Sequence, residues 1–151
     1  MNITKKNRGQ ALVEMALVLP IFLFTLMAIY DFGITLHIWS SLNTQCVEAS
    51  RAGAIRTNQL VGRGVFGSNT HARLQAVTDA FWRMKSPFMS AANYNPEQPT
   101  VVGVGQVGVS TVTVSSSYNV SLITPLIGGL IGSAGGSGQL TLSAVATAQK
   151  E

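Results

Sequence analysis

Glu14 is the residue whose chemistry needs explaining. It stands in RGQALVEMALVLPIFLFTLMAIYDFG (Arg8 to Gly33), a single carboxylate five residues after Gly9 and at the mouth of an apolar run. A carboxylate at mid-bilayer costs several kcal/mol, less near an interface, so an acid here either snorkels to headgroups or meets a cation. Reaction chemistry finds less support. The acids Glu14, Asp31, Glu48, Asp79, Glu97 and Glu151 are scattered, with no paired carboxylates, no nucleophile elbow and no HExxH. No catalytic constellation is present, and the chain reads as a non-enzyme. His37 and His71 are isolated, as a polar stem residue and a helix-start residue, and not as metal ligands. Cys46 stands alone, so no intrachain disulfide is available, and it reads as a small apolar residue on a packed helix face. Gly103, Gly105 and Gly108 satisfy G-x-G-x-x-G, but a dinucleotide site needs that turn to open a helix, and the VSTVTV that follows is strand-like. No cofactor, metal or small-molecule substrate is expected.

The elements that must position Glu14 begin with the apolar run itself. Ala11 to Tyr30 is about 20 residues, which at 1.5 Å per residue crosses a hydrocarbon core of roughly 30 Å. Lys5, Lys6 and Arg8 precede it, while Asp31 to Val47 contains no Lys or Arg. The positive-inside rule therefore leaves the N-terminus cytoplasmic and exports the rest. A cleavable secretory signal is the nearest competitor, but the run is longer than an ordinary h-region and no A-x-A site follows it, so the anchor is expected to be retained. The net charge of +4 lies mostly in the leader: beyond Gly9, seven basic residues face six acids. A nucleic-acid partner is not indicated.

Helical periodicity continues past the span. Phe32, Leu36, Trp39, Asn43, Cys46, Ala49 and Gly53 recur at spacings of three and four, which predicts an amphipathic stem on the same helix with this set as its inner stripe. From Gln10 to about Arg56 that is roughly 70 Å of helix. Pro20 should kink it within the bilayer, where neighbouring groups can compensate. The glycines at 62, 64 and 67 end the pattern. His71 to Met89 carries Leu74, Val77, Phe81 and Trp82 at helical spacing, with Ser86 and Pro87 as a stop. Asn93 to Thr100, with Pro96 and Pro99, is a loop. Thr100 to Val104, Ser110 to Val120 and Gln139 to Thr147 are rich in Val and Thr and predict an antiparallel sheet. Between the last two, TPLIGGLIGSAGGSGQ is an apolar turn and then a Gly/Ser stretch, in which Leu126, Ile127, Leu130 and Ile131 form either a contact patch or, the preferred reading, sheet-covering core. Arg51 and Arg56 should be solvated or paired with Glu48. The fold class is α+β, divided into a leader (1–9), a spanning helix and stem (10–56) and an exported head (57–151).

RGQALVE, followed by MALVLP, an apolar span and YDFG, resembles the TadE-like minor pilins of the tight-adherence (Tad) pilus, a branch of the type IV pilin superfamily. The final LTLSAVATAQKE is similar to the closing strand of that family. The resemblance implies a pilin-like fold in the bacterial inner membrane and cleavage between Gly9 and Gln10 by a prepilin peptidase. It also implies a role for Glu14 in assembly with other pilins. The residues agree with these implications: Gly9 offers no side chain to obstruct a protease cleft, and a cut there frees an α-amino group on Gln10 with a reference pKa of about 7.7–8.0. Paired with that amine on a neighbouring subunit, Glu14 would turn two unfavourable charges into one set and fix register. Gln10 is itself a departure, since principal type IV pilins begin with an apolar residue, and it can either be N-methylated or cyclise. The competing reading is a membrane-anchored surface adhesin, for which Glu14 would be dispensable.

Overall fold

A computed structural model of the chain describes residues 6–55, 70–104, 111–123 and 139–149. The first helix, α1 (Lys6–Ala54), is 49 residues long and runs without interruption through Pro20. Proline lacks an N–H, so the carbonyl of Ala16 has no partner four residues on. Hydroxyls along the helix bond their own backbone instead of needing outside partners: Thr25 Oγ1 donates to Ile21 O at 2.9 Å and Thr35 Oγ1 to Asp31 O at 2.8 Å. That arrangement lets a hydroxyl sit in an apolar surround at little cost.

After α1 come α2 (Thr70–Arg83), a 3-10 turn (Ala91–Asn93) and three strands, β1 (Thr100–Val102), β2 (Thr111–Ser121) and β3 (Gln139–Gln149). They form one antiparallel sheet in the order β1-β2-β3, so the α+β class expected from the sequence holds. β2 pairs with β3 along its whole length, from Thr111 opposite Gln149 to Ser121 opposite Gln139. The alternation along β2 is strict: Val112, Val114, Ser116, Tyr118 and Val120 are buried, and the Ser, Thr and Asn residues between them are not.

The core lies between this inner face and the upper half of α1. Ile38, Leu42, Cys46 and Ala49 from α1 meet Val77 and Phe81 from α2 and the valines of β2. The larger of these, Ile38, Leu42, Val77 and Phe81, contribute about 1.5–3 kcal/mol each when fully buried. Small residues set how closely the layers approach: Cys46 and Ala49 are buried on the helix, and the inward positions of β3 include Ala144, Ala146 and Ala148. Cys46 Sγ comes within 3.7 Å of Ala144 O.

Several boundaries differ from those predicted. The inner stripe of the stem is not the set that starts at Phe32. Phe32, Leu36 and Trp39 are 65%, 47% and 49% exposed, whereas Asp31, Ile38, Leu42 and Gln45 are buried and join Cys46, Ala49 and Gly53. Both sets keep three- and four-residue spacing, and the stem carries apolar residues on both sides, so periodicity alone does not choose between them. The second helix runs from Thr70 to Arg83, ending three residues ahead of the expected Ser86–Pro87 stop and short of Met89. β1 ends at Val102, where Gly103 takes φ 92°, and β3 runs two residues beyond Thr147. Within the expected loop, Tyr94 forms a bridge to Tyr118. Glycines 62, 64 and 67, Arg56 and the apolar set at Leu126, Ile127, Leu130 and Ile131 lie outside the described residues.

Gly53 is where this packing is least tolerant. A Cβ there would meet Val112 Cγ1 and Val77 Cγ2 at 2.9 Å, whereas one at Gly33 would meet nothing within 4 Å. Gly53→Ala is expected to destabilise the head by about 1–3 kcal/mol through overpacking. Gly33→Ala should be neutral or stabilising by up to about 1 kcal/mol from helix propensity. Thermal unfolding of the two variants in the same detergent checks the contrast.

Candidate functional site

Gly9, Gln10 and Glu14 lie on consecutive turns near the start of α1, and the structure brings two of them together. Gln10 Nε2 donates to Glu14 Oε1 at 3.4 Å, a long contact four residues apart on one helix face. No cation among the described residues pairs with Glu14. Gly9 is exposed and surrounded by open space. Its bond to Gln10 lies inside helical backbone. Pro20 lies six residues above Glu14.

The surface around this group is apolar and unaccompanied. Leu12, Val13, Met15, Leu17, Val18, Ile21 and Phe22 are all exposed. The helix is long and apolar enough to cross a membrane, and none of its most apolar stretch is covered by the rest of the chain. A stripe of this size calls for lipid or another chain as its surroundings. In that setting Glu14 is a group that gains from any cation brought within reach.

Above the apolar segment, three polar contacts fix the head to the helix. Asp31 is buried at the junction and accepts a hydrogen bond from Ile123 N at 3.2 Å. His37 Nε2 lies 3.1 Å from Ser86 Oγ, and its ring meets Phe88 edge-on with centroids 5.6 Å apart. Gln45 is fully buried; its Oε1 accepts from Tyr94 Oη at 2.9 Å and its Nε2 lies 3.5 Å from Met89 Sδ. Tyr94 in turn packs edge-on against Phe81, Trp82 and Tyr118 at 5.7, 5.0 and 4.9 Å. Neither Asp31 nor Gln45 stood out in the sequence. The signal for Asp31 is its place, an acid directly at the end of an apolar span.

Catalytic or ligand-holding geometry is not assembled among the described residues. No group of three His, Cys, Asp or Glu side chains could hold a metal ion. His37 is an exposed stem residue with neighbours in the head, and His71 lies in the first turn of α2. Arg51 pairs with Glu48 at 3.1 Å on the solvent side. A shallow pocket lined by Arg51, Ala54, Ile55, Ala148 and Gln149 offers one guanidinium and no acid, thiol or imidazole to work with it. Of the glycine motif, Gly103 ends a strand, and Gly105 and Gly108 lie outside the described residues.

Residues 9–54 match the family model described as TadE-like protein. The match starts at Gly9 and ends with the last residue of α1, so it covers the helix and reaches neither the sheet nor LTLSAVATAQKE. No curated protein and no solved structure matches the chain.

Two weak acids of the core, one on α1 and one in the head, give the fold's stability a pH dependence. Burial pushes the Cys46 thiol up to about 11, partly offset by a backbone hydrogen bond from Ser116. Burial likewise raises the Tyr94 phenol to about 12, partly offset by its bond to Gln45. Both folded values lie above the ordinary values of 9.0 and 10.0. The stabilisation is therefore complete below about pH 9 and is lost as pH rises through 11 and 12. Melting temperature in detergent is expected to fall steadily above pH 9, with a later onset in Cys46→Ala than in the parent.

Proposed function

From the match of residues 9–54 to TadE-like proteins, which points to a Tad pilus-associated protein, we propose that this chain is a minor pilin or pseudopilin that initiates or caps a Tad-type pilus. In this reading α1 crosses the inner membrane once, with residues 1–9 in the cytoplasm and the head exported. Prepilin peptidase removes the leader between Gly9 and Gln10. The chain then works by position and not by turnover.

The observation that carries the proposal is Glu14 standing exposed on a helix surface that is apolar on every side, with a weak 3.4 Å bond from Gln10 as its contact. Such a carboxylate is costly in lipid and gains most from a partner that arrives with assembly. The amine freed on Gln10 of a neighbouring subunit is that partner. It carries a positive charge near neutral pH, and pairing offsets two desolvation costs together. The apolar flank around it, from Leu12 to Phe22, supplies the helix-to-helix contact. Pro20 bends the helix and adjusts the angle at which that flank meets its neighbours. Association in lipid needs such packing and polar pairing, since burying apolar surface gains nothing over acyl chains.

Glu14→Ala is expected to insert and to be cleaved normally, while pilus yield falls about tenfold or more, the equivalent of losing at least 1.4 kcal/mol of pairing. Filaments sheared from cells and quantified beside the membrane-bound subunit check this. Undiminished piliation would contradict the assembly role and favour an adhesin anchored by its helix. Mass spectrometry of the membrane-extracted protein should give a mature chain starting at Gln10; a mass retaining residues 1–9 in the presence of the peptidase would contradict processing.

A further inference from the structure

Resting on the reading of Ala11 to Tyr30 as the membrane span, we infer that the base of the head is itself a lipid-contacting surface. Ile123 and Phe88, beside Phe32 of the helix, form an apolar collar that seats the head in the headgroup layer of the bilayer.

Height above the span is what points to lipid. Ile123 N is held by Asp31, the residue directly after Tyr30, so the chain leaving β2 returns to the level where the apolar segment ends. Ile123 is 61% exposed there, and Phe32 next to Asp31 is 65% exposed. The headgroup layer adds roughly 5–7 Å on each side of a bilayer, so residues this close to the end of the span lie within it. Phe88, 76% exposed, is packed on the ring of His37. His37 stands about 10 Å above Tyr30 by helical rise. Helical side chains lean toward the N-terminus, which carries the imidazole, and the ring against it, back toward the membrane.

The two contacts approach α1 from different sides. Asp31 and His37 are six residues apart, roughly 120° around the axis at 3.6 residues per turn. Phe32 faces the remaining side of the axis, so apolar side chains flank much of the helix over about two turns above the span. Both outer members are fixed, Ile123 through Asp31 and Phe88 through Ser86, whose Oγ lies 3.1 Å from His37 and 3.4 Å from Phe88 N. Aromatic and aliphatic side chains set at the edge of a span act as interface anchors. A head anchored at several points keeps a fixed tilt on the membrane, so it presents one orientation to an incoming subunit.

The test uses the full chain reconstituted in vesicles of phosphatidylcholine and phosphatidylglycerol, with nitroxides introduced one at a time through Ser121→Cys, Glu97→Cys and Val18→Cys. Collision with oxygen relative to a water-soluble nickel chelate reads the depth of each label. The ratio at 121, two residues from Ile123, should be several-fold above that at 97 and below that at 18. Adding Phe88→Asp and Ile123→Asp should bring 121 to the value at 97 and leave 18 unchanged. A label at 121 as water-exposed as 97, with 18 in lipid, would overturn the collar and leave the span intact. A label at 18 in water would overturn the span as well. If shielding at 121 required added pilus subunits, the base would be covered by protein and the inference would fail.

Discussion

Everything in this molecule depends on one helix having to satisfy two surroundings at once. Its lower part is exposed and apolar and draws no cover from the rest of the chain. Its upper part supplies Leu42, Cys46 and Ala49, fully buried, to the centre of the head. α1 is therefore the spine of the core and not a stalk to which a finished domain is attached. Among the described residues the sheet has three strands, and a sheet this small needs another layer against its inner face to be stable. Removing the helix would expose Val112, Val114 and Tyr118 together.

This sharing has a mechanical consequence. A force or tilt applied to the lower helix passes to the sheet through side chains that cannot slide, since Gly53 leaves no room for a Cβ and Cys46 touches the β3 backbone. The polar contacts of Asp31, His37 and Gln45 fix rotation about the axis in the same way. Hydrogen bonds of this kind, buried at Gln45 and part-buried at Asp31 and His37, contribute only about 0.5–1.5 kcal/mol each. Leaving one partner unmet costs more, so they specify an orientation more than they add stability. For a subunit whose proposed work is to present a fixed face during assembly, orientation is the property that matters.

Much of this was legible in the sequence because the signals were simple in kind. The apolar run is long and continuous, and Val alternates with Ser and Thr at the start of 111–121, so the long helix and the central strand could be placed closely. The glycine motif could be dismissed from the strand that follows it. The stem was harder. Trp39 and Ile38 are both apolar, and only the position of the sheet decides that Ile38 turns inward while Trp39 stays out. Gln45 was read as an ordinary polar residue between apolar ones, because its partner Tyr94 is 49 residues away and sits in what looked like a proline-rich loop. Asp31 was counted among scattered acids for the same reason: its role depends on where Ile123 returns. Contacts that join distant segments leave no local period to read. Glu14 differs from these, since its chemistry follows from its neighbours in the chain, and the partner proposed for it lies on another subunit.

Hydrogen–deuterium exchange of the full chain in lipid nanodiscs tests the shared-spine account most directly. If α1 is part of the core, amides from Ile38 to Gly53 open together with those of Val112 to Val120, at one common rate and with one common response to denaturant. Exchange through the upper helix that runs well ahead of the sheet, with the sheet still protected, would mean that the head stands on its own and that the helix only tethers it.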